Sequence, residues 1–135
     1  MAKVSDADYA ALAAFRRSLR EFAAFSEEAA RRAGLTPHQH QALLAIRGSG
    51  TAPTIGALAG ELLIRPHSAL ELVDRLVAAG LVERQVGSAD RRRVELTLTA
   101  KAEEILAELS AAHLAELRQR RVLLQDLLQR LDGQG

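Results

Sequence analysis

Two short groups of residues carry side chains suited to a charged or hydrogen-bonding partner. The first is Arg65, His67, Ser68, Leu70, Glu71 and Arg75. Histidine and serine donate or accept hydrogen bonds, glutamate accepts, and arginine forks onto phosphate or carboxylate. The second runs through Asp90, Arg91, Arg92 and Arg93, preceded by Arg84 and by Gly87-Ser88-Ala89; from Arg84 to Arg93 there are four arginines and one acid. Small residues let such a tip enter a narrow space, and arginine is favoured in narrow minor grooves, where negative potential is concentrated. Phosphate would repel Asp90, so its expected task is to accept hydrogen bonds from Arg84 or Arg92 and orient the loop. Glu71 has a similar second role, because Arg75 lies four residues on, where ion pairs form along a helix.

The elements that must position these groups follow from periodicity and punctuation. Thr54 caps a short helix with Ile55, Leu58, Ala59 and Leu62 inward, and Leu63 to Arg65 make a turn. Pro66 starts a second helix with a buried stripe of Ala69, Leu72, Val73, Leu76 and Val77, ending at Gly80. Leu81 to Gln85 and Val94 to Leu98 then read as hairpin strands around the basic tip. A helix of about 14 residues fits the major groove of B-DNA, and its first two turns reach base edges. Those turns carry His67, Ser68, Leu70 and Glu71: Leu70 suits a thymine methyl, and Glu71 suits cytosine N4. A helix pair followed by a basic hairpin is a layout for gripping a nucleic-acid duplex, and Thr54 is a further candidate for a phosphate contact.

The flanks read as long helices. Asp6 to Ala33 contains neither Gly nor Pro, and Leu12, Phe15, Leu19, Phe22 and Ala29 mark one face. Such a helix needs a partner helix from this chain or from a second copy. Thr36, Pro37 and Gln39 form a capping-box start for a helix running to Gly48, and Ser49 to Pro53 reads as a loop with a short strand near Thr51. Thr99 caps the last helical stretch, where Ile105, Leu106, Leu109, Ala112 and Leu117 form one stripe and Leu124, Leu127, Leu128 and Leu131 another. Arg118 to Arg121 is either a break or a polar stretch, and Asp132 to Gly135 reads as a frayed tail.

Bulk properties narrow the function. The chain has 135 residues, a length suited to one domain, and 48% of them are hydrophobic with few aromatics, which favours a helical core of Leu, Ala, Val and Ile. The net charge of +1 names no partner, but its distribution does, because Lys101 to Glu116 leans acidic while the hairpin is basic. With no cysteine there are no disulfides, thiolate metal sites or thiol chemistry. The N-terminus lacks a long apolar run and no segment reaches the ~20 apolar residues of a membrane span, so the expected location is cytoplasmic with no membrane partner. An enzymatic reading finds no Gly-rich phosphate loop, nucleophile elbow or His-Glu metal motif. His38 and His40 lie two apart and read as solvent-exposed. Zinc would require folding to bring His113 beside one of them, and neither a metal nor a cofactor is expected.

Four segments together resemble the multiple-antibiotic-resistance regulator (MarR) family. They are Leu72-Val73-Asp74-Arg75-Leu76, Gly80-Leu81-Val82-Glu83-Arg84, Asp90-Arg91-Arg92, and Leu96-Thr97-Leu98-Thr99 before a helix. The match in spacing covers roughly Thr36 to Ala107. The resemblance implies a mainly α fold with a small β-hairpin, a winged helix-turn-helix flanked by terminal dimerisation helices. In that reading residues 1–135 form a single domain, with about 36–98 as the winged helix-turn-helix and about 6–34 and 100–132 as dimerisation helices. Leu12, Phe15, Leu19, Leu117, Leu124, Leu127, Leu128 and Leu131 would then face a second copy. It also implies a homodimeric transcriptional regulator, a repressor or an activator, on double-stranded DNA at a pseudo-palindromic site, with affinity tuned by a small-molecule effector. Repression is the expected mode. Glu71 departs from the basic or neutral residue common at that place, so the preferred DNA sequence does not carry over. The alternative is a helical protein-interaction module without DNA binding.

Overall fold

The computed structural model describes residues 3–87 and 89–133. It contains α1 (Asp6–Arg32), α2 (Pro37–Gly48), α3 (Ile55–Leu62), α4 (Pro66–Ala78), β1 (Val82–Val86), β2 (Val94–Leu98), α5 (Ala100–Gln119) and α6 (Arg121–Asp132). The fold is therefore mainly α with one antiparallel hairpin, a winged helix-turn-helix between long terminal helices. Among the described residues no helix is long and apolar enough to cross a membrane.

Four of the helices, α1, α2, α3 and α5, start at side-chain caps. Thr36 Oγ1 accepts from Gln39 N at 3.1 Å while Gln39 Oε1 accepts from Thr36 N at 2.9 Å, and Ser5 and Asp8 repeat this box at α1. Thr54 and Thr99 cap α3 and α5 with the hydroxyl half of this arrangement alone, accepting from Ala57 N and Ala102 N, amides that the helix leaves free. Thr99 also donates its hydroxyl to Gly80 O at 2.7 Å, and its amide donates to Leu81 O at 3.1 Å. One threonine thus fastens the end of α4, the hairpin and the start of α5. Gly80 itself has φ 74°, the left-handed turn that ends α4 and that a side chain would strain.

The core lies in the middle of the chain. Leu43, Leu58, Val73, Leu76, Val82 and Leu96 are fully buried, bringing α2, α3, α4 and both strands together. Truncating one such leucine to alanine costs about 2–5 kcal/mol. Helix α5 adds Ala102, Leu106 and Leu109, α1 adds Ala30, and α6 buries nothing. The stripe expected on α4 is borne out in Ala69, Leu72, Val73 and Leu76, with Val77 half-buried.

Several local expectations need correction. There is no strand near Thr51. Pro53 meets the sheet only through its carbonyl, which accepts from Leu96 N at 2.8 Å, and a proline has no N–H to donate in return. The first strand is shifted to Val82–Val86, because Leu81 is still bonded back to Leu76 O in the helix cap. Ala112 is exposed, so the α5 stripe ends at Leu109 within one chain. The polar stretch is a real break at Arg120, whose guanidinium donates to Ser18, Glu21 and Glu116 at 3.0–3.2 Å and pins the α5–α6 joint to α1. Asp132 closes α6 rather than fraying, while Gln134 and Gly135 lie outside the described residues.

Candidate nucleic-acid interface

The α3–α4 turn presents the start of α4. Leu63 closes α3 in the left-handed conformation (φ 56°), and Ile64 N bonds back to Ala59 O at 3.0 Å, which turns the chain sharply into Arg65 and Pro66. With Ala69, Leu72 and Val73 turned into the core, Arg65, His67, Ser68, Leu70, Glu71 and Arg75 are left exposed together on the opposite face. Thr54 is half-buried; its oxygen accepts from Ala57 N at 3.2 Å, and its hydroxyl proton remains free to donate.

Two acid–base pairs shape this face. Glu71 pairs with His67 at 3.1 Å and not with Arg75: both neighbours are four residues away, and the glutamate turns towards the helix start. Arg75 makes no ion pair among the described residues and stays available to a phosphate. Asp74, on α4, pairs with Arg84, on β1. That contact ties the recognition helix to the hairpin, and it explains why an Asp and an Arg stand ten residues apart in the two central motifs.

Arg84 is therefore not the partner of Asp90. Asp90 Oδ1 accepts from Arg92 N at 3.0 Å and Arg92 Nε at 3.4 Å, the loop-orienting contact expected of one of the two arginines. The base of the tip is held by Gly87 N donating to Arg93 O at 2.7 Å and Arg93 N donating to Asp90 O at 3.0 Å. Only glycine fits at Gly87, because a Cβ there would lie 2.7 Å from Glu95 Oε1 and 2.8 Å from Asp90 O. Arg91, Arg92 and Arg93 are all exposed. Ser88, expected at the tip, lies outside the described residues.

The residues expected to face a second copy divide in two. Leu12, Leu19, Leu117, Leu128 and Leu131 are exposed, while Phe15, Leu124 and Leu127 are half-buried within the single chain. Arg130 and Asp8, 3.4 Å apart, tie α6 to the start of α1.

A second feature went unread in the sequence. A cavity of about 590 Å³ opens between α1, α2 and α5. His40, expected at the surface, is 4% exposed at its edge, and its ring lies 4.8 Å from that of His113. Phe22 and Phe25 meet His113 edge-on at 5.7 and 5.2 Å. Folding does bring His113 beside His40, but among the described residues no group of three His, Asp or Glu could hold a metal ion. The spacing of His40 and His113 from the phenylalanines, across three helices, gave no local signal. Burial, and then the neighbouring His113, lower the pKa of His40 from the ordinary 6.5. The unfolded chain takes up a proton at His40 first, so this contribution to stability is complete above about pH 6.5 and is lost as pH falls towards the lowered value. Thermal melts should show that decline, and His40→Phe should flatten it; an equal decline in the variant would place its origin elsewhere.

Comparison with known proteins follows the same outline. Residues 33–93 match the model of the MarR family. The structure of AbsC, a MarR family transcriptional regulator from Streptomyces coelicolor, is 22% identical, covers 98% of this chain and 92% of its own, and superposes with a TM-score of 0.74. A mutant MepR of S. aureus bound to an oligodeoxyribonucleotide is 18% identical over 90% of this chain and 95% of its own, with a TM-score of 0.69. A mutant MarR of E. coli complexed with operator DNA is 24% identical over 87% of this chain and 76% of its own, with a TM-score of 0.61. No curated protein matches the sequence.

Proposed function

We propose that the chain, whose residues 33–93 match the model of the MarR family, is a member of that family and acts as a cytoplasmic, homodimeric repressor that binds a pseudo-palindromic operator and is released by a small molecule. In this reading residues 1–135 work as one domain. Residues 36–98 bind DNA, and the helices of 6–34 and 100–132 join two copies. His67, Ser68, Leu70 and Glu71 read base edges, while Thr54, Arg65, Arg75 and the wing arginines Arg91 to Arg93 hold the backbone. Arg84 and Asp90 position these groups through Asp74 and Arg92.

The observation that carries the reading is the Asp74–Arg84 contact between α4 and β1. It makes one rigid unit of a helix with an exposed polar start and a hairpin with an arginine tip, a shape able to engage a major groove and the adjoining minor groove together. Two such units cover about two turns of duplex, and covering a promoter excludes other proteins from it, which favours repression. The cavity supports release: it lies where α2 of the winged helix meets α1 and α5, so filling it would alter how the recognition helices are spaced. MepR and MarR have been captured on DNA with this fold.

Selection from random duplexes tests the proposal. The enriched sites should be pseudo-palindromic with half-site centres about 10 base pairs, one helical turn, apart. Recovery of a single unrepeated half-site would rule out the dimer geometry, and no enrichment would rule out sequence reading.

A further inference from the structure

We propose that Arg120 fixes the spacing of the two DNA half-sites that a dimer of this chain engages, by locking the angle between α5 and α6. The inference rests on the homodimeric reading above and adds the residue that sets its geometry. Arg120 is a positioning residue, acting through the helices it joins and not by touching DNA.

Two parts of the chain with different tasks meet here. Helix α5 is built into the DNA-binding unit: Ala102, Leu106 and Leu109 lie in the core, and Thr99 at its start holds Gly80 and Leu81 at the end of α4. Helix α6 buries no residue and leaves Leu128 and Leu131 exposed to a second copy. Its half-buried Leu123, Leu124 and Leu127 provide contact without direction, because apolar packing is non-directional. The direction of α6 must come from polar contacts. At its far end there is one, between Arg130 and Asp8 at 3.4 Å.

At its near end stands Arg120, which caps both helices with φ −98° and ψ 7°. Its amide donates to Leu117 O at 3.0 Å, three residues back, a tightened final turn of α5. Its guanidinium spans two helices: Nη1 donates to Ser18 Oγ at 3.1 Å and Glu21 Oε1 at 3.2 Å on α1, and Nη2 donates to Glu116 Oε1 at 3.0 Å on α5. A planar fork held on both sides cannot swivel. Ser18 is buried and the Arg120 side chain is 18% exposed, so salt screens this node less than a surface pair. Arg120 Nε is buried without a partner among the described protein atoms, and desolvating a charge offsets much of what its pairing contributes. The node is thus better suited to fixing geometry than to adding stability. Its leverage is large: α5 has 20 residues, about 30 Å, so a tilt of about 10° at the joint moves the winged helix by about 5 Å, beyond the roughly 3.4 Å of one base-pair step.

Selection from random duplexes, followed by affinity for the enriched site and for the same site with one base pair inserted between its halves, tests this. The wild type should enrich a single spacing. Arg120→Met keeps the stem and removes the guanidinium; it should sediment as a dimer, enrich the same half-site over several spacings, and lose about tenfold of the discrimination against the insertion. Ser18→Ala with Glu21→Gln, which removes only the α1 partners, should act in the same direction. A general loss of stability would lower affinity for both sites equally and leave their ratio unchanged. An unchanged ratio and a single unchanged spacing would overturn the proposal, and the α1 double variant decides alone if Arg120→Met does not form a folded dimer. The two readings fail differently. An unrepeated half-site from the wild type removes the dimeric reading and the role of Arg120 with it, whereas one fixed spacing in wild type and variants removes the role of Arg120 alone.

Discussion

Replacing Arg91, Arg92 and Arg93 together with alanine should weaken binding to every duplex, preferred or not, by on the order of a hundredfold per wing near physiological salt. The three side chains are exposed at the hairpin tip, and the turn beneath them is held by backbone hydrogen bonds at Gly87 and Arg93 that alanine preserves. The fold should therefore survive, and the loss should be electrostatic. Each neutralised phosphate contributes about 0.9 to the slope of log affinity against log salt, so removing three contacts flattens it by roughly 2.7 per wing. Electrophoretic or fluorescence binding at several salt concentrations measures both quantities. A loss confined to the preferred sequence, with the slope unchanged, would show that the wing is not a phosphate contact.

The second large effect concerns assembly. Leu128→Asp with Leu131→Asp should convert a dimer to a folded monomer and lower affinity for a two-half-site operator by about 10²–10⁴, the advantage lost when the second unit is no longer tethered. These leucines are 60% and 66% exposed in the single chain, and α6 buries no residue, so the charges fall outside the core. In an interface each leucine would contribute about 1.5–3 kcal/mol, which a carboxylate reverses. Cutting the chain after Thr99 is a poorer test, because it also removes Ala102, Leu106 and Leu109 from the core. Sedimentation should show the monomer while the melting transition persists. A double variant that still sediments as a dimer would move the interface elsewhere.

What could be read from the residues alone was what is local. Thr36, Thr54 and Thr99 announce helix starts because a hydroxyl three residues before a free amide is a short-range geometry. The α4 stripe was legible because apolar spacing of three and four has one structural meaning there. The pairing of acids was less so. Glu71 has a base four residues away on each side, and periodicity does not choose between His67 and Arg75. Asp74 and Arg84 meet only because Gly80 turns the chain between them, so neither motif alone revealed the contact. The fate of His40 depended on α1 and α5 covering α2 from distant parts of the chain. The break at Arg120 lacks Gly and Pro and is set by tertiary hydrogen bonds to Ser18 and Glu21.

Affinity for one enriched duplex, followed across salt concentrations, decides whether this chain grips DNA through α4 and the wing. Three arginine–phosphate contacts from each of two protomers give log affinity falling linearly with log salt, with a slope steeper than about −5. Weak binding with no salt slope would contradict DNA recognition and leave a helical interaction module.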